Sequence, residues 1–213
     1  MKDRLLIIGA SGHGKVVADI AIKMNKWQVI AFLDDDESIK SSIGLDVIGT
    51  IVDALKYKDE ADFFVAIGNN SVRQNIHEWL ISNGLSIVNV VHPNAIIASG
   101  VDIGIGTAVM AGVVINSSSI IGRGCIINTS CSLDHDNILE DFVHISPGSH
   151  LAGKVTVGKG SWLGVGTIVS NNINIISGCK LGAGVVVVND ITEAGTYVGV
   201  PARKVDLKGN MEN

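Results

Sequence analysis

The sequence predicts a two-part α/β protein, a small Rossmann-like domain with a parallel sheet followed by a parallel β-helix. Residues 95–190 divide into sixteen consecutive blocks of six without an insertion, and the third residue of every block is aliphatic, from Ile97 to Val187. Glycine recurs in the fourth and sixth places of these blocks. The residues before them instead alternate apolar runs with segments of helical periodicity. A period of six fits neither an α-helix nor a hairpin, and it is the signature of a hexapeptide β-helix.

Composition agrees with this fold class and excludes several functions. Charged residues are 17% of the 213 residues, against a typical ~25%. A narrow coil explains this, because its interior takes aliphatic side chains and its corners take glycine. The net charge of −5 argues against nucleic acid or an anionic membrane as the main partner. The first apolar run is too short for a signal peptide or a membrane span, so we expect a cytoplasmic location.

The N-terminal domain is predicted from alternating strands and helices. Its apolar runs and periodic segments indicate a strand over residues 4–8, a glycine turn and a helix from Gly9 onward, strands over 27–32 and 63–67, a helix over 71–82 and a strand over 85–91. This order predicts a small doubly wound parallel sheet, with a ligand at the carboxyl ends of the strands.

Two of those strand ends carry informative residues. Residues 9–14 (GASGHG) follow the first strand, so backbone N–H groups at a helix N-terminus face the space beyond it. Asp34 and Asp35 follow the second strand, where a carboxylate could bind ribose hydroxyls or a base N–H. The pattern is G-x-x-G-x-G and departs from the dinucleotide fingerprint, so we interpret it as a nucleotide pocket without nicotinamide. The alternative is a tight turn beside a solvated acidic loop.

The coil should contain about five turns of three blocks, stacked at ~4.8 Å per turn. We place the N-terminal domain at residues 1–91, the coil at 92–193, and a C-terminal strand and tail at 194–213. The N-terminal domain could cover the first end of the coil and the tail from Ile191 the other. The three cysteines, Cys125, Cys131 and Cys179, occupy the first place of a block and are interpreted as small buried hydrophobic residues.

Polar residues at outward corners are the candidates for chemistry. Asp134-His135-Asp136 places an imidazole between two carboxylates, which suits a general base. Either carboxylate could orient the ring, and a solvated corner histidine is the alternative interpretation. His77 is expected to be exposed on its helix, and His92 to shape the domain junction. The spacing of His135, His144 and His150 does not fit a zinc site, and we expect no metal.

Six segments in order resemble a known family. They are GASGHG (9–14), FLDDD (32–36), AIGNN (66–70), the hexapeptides, SLDHD (132–136) and YVGVPARKV (197–205). Together they resemble the bacterial hexapeptide-repeat sugar acyltransferases, which N-acetylate UDP-linked 4-amino-4,6-dideoxy sugars with acetyl-CoA or O-acetylate sialic acids. The resemblance implies a homotrimer of left-handed β-helices with acetyl-CoA between neighbouring coils and a UDP-amino sugar on the N-terminal domain.

The resemblance also implies roles for individual residues. His135 looks like the general base and Asp136 its acidic partner, while Gly153 is placed to offer a backbone N–H to the thioester oxygen. The implied substrate-binding residues are Gly12, His13, Gly14, Asp34, Asp35, Gly68, Asn69 and Asn128. The implied acetyl-CoA-binding residues are His144, Gly153, Pro201, Ala202, Arg203 and Lys204.

Three functions follow, in order of preference. The first is N-acetylation of a UDP-linked 4-amino-4,6-dideoxy sugar by direct attack on acetyl-CoA. The second is O-acetylation of a sialic acid, which would use the same base and donor. The third is a trimer that binds nucleotide sugars without catalysis.

Overall fold

The computed structural model describes residues 2–205. Its N-terminal domain is built on a four-stranded parallel sheet in the order β2-β1-β5-β6. The elements are β1 (Arg4–Ile8), α1 (Gly12–Met24), β2 (Val29–Leu33), the hairpin β3 (Ser41–Ser42) and β4 (Leu45–Asp46), a 3-10 helix (Ile51–Tyr57), β5 (Ala61–Val65), α2 (Asn70–Ser82) and β6 (Ser86–Ile87).

Helices cover both faces of this sheet, as the predicted doubly wound arrangement requires. Side chains alternate along β1, so that Leu5 and Ile7 pack in the cluster that contains α1. Leu6 and Ile8 pack in the cluster that contains α2 and the 3-10 helix. Both α-helices have 13 residues, and no helix within residues 2–205 is long and apolar enough to cross a membrane.

The strand predicted over residues 85–91 is divided between the two parts of the molecule. β6 pairs with β5, whereas the next strand, β7 (Val90–Val91), pairs with a strand of the coil. The hexapeptide period explains this, because residues 89–94 form one more block with aliphatic Val91 in third place. His92 and Pro93 in that block hide the repeat from inspection. The coil therefore has about six turns, one more than the sequence predicted.

The coil has three parallel faces, and each strand pairs with the strand eighteen residues later. Face one contains β7, β10 (Ala108–Val109), β13 (Ile126–Ile127), β16 (His144–Ile145), β19 (Trp162–Leu163) and β22 (Lys180–Leu181). Face two contains β8 (Ile96–Ile97), β11 (Val114–Ile115), β14 (Ser132–Leu133), β17 (His150–Leu151), β20 (Ile168–Val169) and β23 (Val186–Val187). Face three contains β9 (Asp102–Ile103), β12 (Ile120–Ile121), β15 (Ile138–Leu139), β18 (Thr156–Val157) and β21 (Asn174–Ile175).

The predicted aliphatic columns fill the axis of the coil. The third residues of the blocks from Val109 to Val187 are all buried in one cluster, and Ile97 and Ile103 are partly buried against it. Every sixth residue from 100 to 184 has a positive φ, which turns the chain at that corner. Most of these residues are glycine, and the others are Ser118, Ser130, Asp136, Phe142, Lys154 and Asn172.

The N-terminal domain packs against face one, and Ile97 and Ile103 at the first end of the coil stay only partly buried. Helix α1 contacts β7, and the outward side chains of Val90, Ala108 and Ile126 are buried in the α1 cluster. His77, which we expected to be exposed, is fully buried in the same seam, 3.2 Å from the Ile105 carbonyl oxygen. The prediction for His77 was wrong because the coil covers that side of α2.

The tail closes the other end, as predicted. β24 (Thr196–Val198) and β25 (Arg203–Val205) form a hairpin that extends face one beyond β22. Ile191 is buried there, and Tyr197 and Ala202 pack against the coil core. Residues 206–213, part of the predicted tail, lie outside the described residues.

Candidate functional site at the coil corners and the domain seam

His135 lies at the corner where face two turns into face three. β14 ends at Leu133 and β15 begins at Ile138, so the histidine belongs to the turn between them. Its side chain is 53% exposed. It borders an open groove of about 430 Å³ that continues to Lys154 and Asn172 on the next two turns of the coil. The corner therefore presents a titratable ring at the outer surface of the coil.

The two carboxylates beside this ring have different partners. Asp136 Oδ2 lies 2.7 Å from His135 Nδ1. Asp134 Oδ1 instead accepts the His135 backbone N–H at 2.8 Å and the Asn116 side-chain amide at 2.9 Å. These bonds, that from Asn116 first, lower the pKa of Asp134. Asp136 thus contacts the ring and Asp134 braces the turn. A proton on Nδ1, assigned from the bond to Asp136, leaves the Nε2 lone pair free.

Asp136 occupies a backbone conformation that favours glycine. Its φ is +59°, in the left-handed region. A residue with a Cβ pays roughly 1 kcal/mol for that conformation. The chain places a carboxylate there although glycine stands at most of the equivalent corners. Five other corners of the coil also hold a non-glycine residue in this conformation, so it is a property of the turn, and the contact with His135 is what distinguishes Asp136.

Gly153 lies directly beneath the imidazole, one turn further along the coil. A Cβ on this glycine would lie 2.7 Å from both Cε1 and Nε2 of His135, closer than side-chain atoms approach. The absence of a side chain therefore lets the ring approach the backbone at this position. No acceptor within residues 2–205 receives the Gly153 backbone N–H. This leaves a free donor next to the Nε2 edge of the ring.

A second group of side chains lies on face one. The rings of His144 and Trp162 stack with centroids 5.6 Å apart and an interplanar angle of 5°. Trp162 Nε1 donates to Ser146 Oγ at 2.7 Å, which fixes the indole. The Asn128 side-chain amide lies 3.4 Å from His144 Nε2. A donor at Nε2 places the histidine proton on Nδ1, and that buried nitrogen has no partner within residues 2–205.

His13 of the glycine turn faces the same region. Burial, together with the positive charge of Arg73, lowers the pKa of His13 to about 4. Burial, with smaller contributions from Arg73 and His13, lowers the pKa of His144 to about 3. His13 Nε2 is a second buried nitrogen without a partner in the described chain. Two neutral imidazoles thus present unused polar atoms at the seam between the domains.

The glycine turn is shaped by two of its glycines. Gly9 has a φ of +101°, and a Cβ on it would lie 2.7 Å from the Ile67 side chain. A Cβ on Gly14 would overlap the Gly9 carbonyl oxygen, whereas Gly12 has open space around it. The backbone N–H groups of residues 12–14 lie in the first turn of α1, where they have no intrahelical acceptor. This end of α1 is suited to an anion.

The acidic residues after β2 already bind the backbone of their own domain. Asp34 Oδ2 accepts the Ala10 N–H at 2.7 Å and Oδ1 accepts the Asp36 N–H at 2.9 Å. Asp35 Oδ1 accepts the Ile51 N–H at 2.9 Å. Asp34 borders a cavity of about 210 Å³, which Asp35 does not line. These carboxylates hold the loops around the pocket in place, a use that the sequence pattern did not reveal.

Gly68 and Asn69 lie at the start of α2. The Asn69 side-chain oxygen accepts the N–H groups of Ser71 and Val72, both at 3.1 Å, so it caps the helix. The Gly68 carbonyl oxygen accepts a bond from Arg73 at 3.0 Å. Asn69 therefore shapes the turn through its side chain.

The predicted coenzyme residues of the tail lie in the β24–β25 hairpin. Pro201 and Arg203 are exposed, and the Ala202 N–H donates to Val186 O at 2.8 Å. Lys204 Nζ forms an ion pair with Glu193 at 2.9 Å. From β14 to β23 face two spans three turns, roughly 14 Å, so the hairpin lies well along the coil from His135.

The cysteines are buried and free, as predicted. Burial raises the pKa of Cys125 to about 12 and that of Cys131 to about 11, and it raises the pKa of Cys179 as well. No group of three or more His, Cys, Asp or Glu side chains within residues 2–205 is placed to hold a metal ion.

One chain brings these residues together in two groups, not one. His135, Asp136 and Gly153 meet at the corner between faces two and three. His13, Asn128 and His144 belong to face one and the seam beside it. Sequence reasoning missed Arg73 and Trp162, which belong to the second group. The only clue to Arg73 in the sequence is its position three residues after Asn70 on a predicted helix. Its burial could not be predicted, because it depends on how the two domains dock.

Comparisons with known proteins agree with this architecture. The family model described as the PglD N-terminal domain matches residues 4–80. The acetyltransferase domain of PglB from Neisseria gonorrhoeae FA1090 is 39% identical, with a TM-score of 0.93, over 96% of this chain and 100% of that domain. That domain has also been solved in complex with acetyl coenzyme A.

Two further relatives have names that describe N-acetyltransferases of an amino sugar or a nucleotide-linked amino sugar. The perosamine N-acetyltransferase from Caulobacter crescentus, solved with CoA and GDP-perosamine, is 38% identical, with a TM-score of 0.90 and coverage of 97% of both chains. The UDP-N-acetylbacillosamine N-acetyltransferase of Bacillus subtilis (strain 168) is 35% identical over 110 residues, which are 49% of this chain and 50% of that protein.

Fold, corner geometry and these likenesses define the class, an acyltransferase built on a hexapeptide β-helix with an α/β domain at its side. More specifically, the chain belongs to the bacterial hexapeptide-repeat family of sugar acyltransferases.

Proposed function

We propose that the protein transfers the acetyl group of acetyl-CoA to the 4-amino group of a nucleotide-linked 4-amino-4,6-dideoxy sugar, with His135 as the general base. The observation that carries the proposal is the corner itself. His135 Nδ1 is bonded to Asp136 at 2.7 Å, and its Nε2 edge lies over Gly153 at the border of an open groove.

The proton transfer and the stabilisation of the oxyanion use groups that this corner supplies. Nε2 of His135 accepts a proton from the sugar amine as the nitrogen attacks the thioester carbonyl carbon. Asp136 stabilises the imidazolium that forms, as a carboxylate does in other base–carboxylate pairs. The C–N bond forms and the C–S bond breaks, so the products are an N-acetyl sugar and CoA, whose sulfur regains the proton. The developing oxyanion accepts the free Gly153 N–H.

A covalent acetyl-cysteine intermediate is not part of the proposal. All three thiols are buried in the coil, and burial raises their pKa. A thiolate, the nucleophilic form, is therefore disfavoured at each position. Direct transfer between two bound substrates is the mechanism that the chain's own groups support.

We infer that a second copy of the chain completes the site. The N-terminal domain lies beside face one, whereas His135 lies on the opposite corner of the same coil. Faces two and three carry exposed aliphatic side chains, among them Ile96 at 66%, Ile120 at 49% and Ile168 at 48% exposure. Large aliphatic side chains exposed on two faces of a coil are candidates for an interface. A homotrimer with sites between neighbouring coils would cover these faces and bring a neighbour's face-one residues to His135.

The acceptor is proposed to bind through the N-terminal domain. The first turn of α1, with Gly12, His13 and Gly14, suits the diphosphate, and the cavity beside Asp34 suits the base and ribose. Asp35, Gly68 and Asn69 would hold the loops that border the ligand. Asn128 would line the amino-sugar pocket. UDP is our first choice of nucleotide, and the GDP-perosamine complex of the Caulobacter enzyme favours GDP as the second candidate.

Acetyl-CoA is proposed to lie along the coil between neighbouring copies. Its thioester would reach His144 and Gly153, and its nucleotide end the hairpin with Pro201, Ala202, Arg203 and Lys204. Exposed Arg203 provides a cation for the coenzyme phosphates. The acetyl coenzyme A complex of the PglB domain supports this donor.

A panel of acceptors tests the proposal. The protein is incubated with acetyl-CoA and UDP- or GDP-linked 4-amino-4,6-dideoxy sugars, with free sialic acid and CMP-sialic acid as competing acceptors, and released thiol is measured. We expect thiol release only with the 4-amino sugars and a mass increase of one acetyl group on the sugar. Transfer confined to a sialic acid would overturn N-acetylation, and thiol release without any acceptor product would overturn transfer.

A further inference from the structure

Arg73 is a buried cation that ties α2 to the coil. Its side chain is among the largest that are fully buried, with 1% exposure. Nε donates to the Gly124 carbonyl oxygen at 2.7 Å, and Nη2 donates to the Phe142 carbonyl oxygen at 3.1 Å. Both acceptors belong to neighbouring corners of the coil. One end of the guanidinium is therefore anchored in the coil backbone.

The same guanidinium holds the turn before α2. Nη1 donates to the carbonyl oxygens of Ile67 and Gly68, both at 3.0 Å. Nη2 donates to Asn70 Oδ1 at 2.8 Å. The Asn70 amide in turn donates to Gly160 O of the coil at 2.9 Å. With the two coil bonds, the guanidinium makes five bonds, which equals its number of N–H donors.

This arrangement costs more free energy than an apolar contact between the two domains would. No carboxylate in the described chain forms an ion pair with Arg73, so its charge is buried among carbonyl dipoles, and burial lowers its pKa to about 10. Burying a charge costs free energy, and apolar residues of similar size in its place often leave the protein equally stable or more stable. Planar fork geometry, which Lys or an apolar residue lacks, is what the site uses.

We propose that Arg73 is a positioning residue that fixes the turn of residues 67–70 on the coil and so sets where the N-terminal domain presents the acceptor sugar. The turn lies at the carboxyl end of β5, beside the glycine turn after β1 in the same sheet. It also flanks a groove of about 300 Å³ that runs from Asn69 to Trp162 and Lys180 on the coil. A displaced turn would shift the acceptor relative to the coil without touching the coenzyme hairpin.

The proposal rests on the proposed function, and two variants test it. Arg73→Lys keeps the charge but not the fork, and Arg73→Met removes both. We expect KM for the nucleotide amino sugar to rise at least ~10-fold in both variants, more in Arg73→Met, because small displacements of a bound substrate are costly. KM for acetyl-CoA should stay within about twofold of the wild-type value, since the hairpin is untouched. Arg123→Met is the matched control, because the only partner of the Arg123 side chain within residues 2–205 is Asp141 on the coil surface.

Hydrogen exchange gives a readout that does not depend on turnover. In the protein without ligands, we expect faster amide exchange over residues 67–72 in Arg73→Lys, with unchanged exchange in the coil strands. An equal rise in both KM values, or an unchanged acceptor KM with unchanged exchange at this turn, would overturn the positioning role. If Arg73→Met does not fold, Arg73→Lys carries the test. A wild-type protein without acetyl transfer would overturn the proposed function alone, and exchange at the turn would still decide the role of Arg73.

Discussion

The corner at His135 and the seam at Arg73 use opposite physical environments. At the corner the imidazole and Asp136 are about half exposed, and the coil supports them with a glycine and a strained backbone. At the seam Arg73 and His77 are fully buried, and His13 and His144 are mostly so, with their pKa values lowered. The corner is therefore open to solvent, whereas the seam is packed inside the protein.

This difference assigns different parts of the reaction to the two regions. A general base must exchange protons with substrate and solvent, which the exposed corner permits. A binding surface instead gains from neutral donors and acceptors in fixed positions, which the buried seam provides. Proton transfer therefore belongs to the corner and substrate orientation to the seam, so variants of the two regions should differ in their effects.

Removal of the base should have the largest effect. His135→Ala is expected to lower kcat by ~10²–10⁴ while the oligomer stays intact, because general base catalysis contributes a factor of this size. His150→Ala is the matched control, since His150 lies one turn further along face two and bonds Ser132 Oγ at 2.8 Å. Steady-state kinetics and size-exclusion chromatography measure both. Near-normal turnover in His135→Ala would remove the corner from the mechanism.

The two neighbouring carboxylates should differ in effect. Asp136→Asn is expected to lower kcat by roughly 10- to 100-fold, the value of a hydrogen bond to a charged group. Asp134→Asn should change kcat by less than about fivefold, because its side-chain oxygen can still accept the His135 and Asn116 bonds. Parallel kinetic measurements compare the pair. The reverse order would show that Asp134 holds the catalytic ring.

The seam should make stability depend on pH. Burial keeps the pKa values of His13, His77 and His144 below 6.5 in the folded protein, so the unfolded chain binds more protons below that pH. Stability should therefore fall as the pH drops from about 6.5 towards 4, by at most about 1.4 kcal/mol per pH unit for each imidazole. Denaturant unfolding at several pH values measures this slope. His144→Phe should reduce the slope by one proton, and an unchanged slope would contradict the burial argument.

Almost the whole coil could be predicted from the sequence, because a six-residue period is compatible with few other backbone structures. His135 was recognisable for the same reason, since polar residues at an outward corner stand out against the repeat. The extra block at residues 89–94 could not be predicted as easily, because His92 and Pro93 interrupt its composition. Alternating strands and helices likewise sufficed for the parallel sheet.

The seam was less predictable, because its properties arise from docking of the two parts. Burial of His77 and Arg73 depends on which side of α2 and which coil face meet, and no local pattern specifies that. Asp34 and Asn69 were identified as site residues from their place at strand ends. Their hydrogen bonds to nearby backbone N–H groups depend on the exact loop conformation. The presence of a carboxylate or amide in a loop does not predict such bonds.

The most direct test asks whether one active site combines the corner of one copy with the seam of another. Complementation between two inactive variants makes that test. His135→Ala lacks the base, and His144→Phe keeps the ring stacked on Trp162 but lacks both nitrogens. Each alone should be nearly inactive. When the two are co-expressed and mixed oligomers are isolated, one of the three sites in each mixed trimer, about a third, should combine an intact corner with an intact seam. Recovery near that fraction of wild-type activity is the predicted result, and mixed oligomers without activity would contradict a site shared between copies.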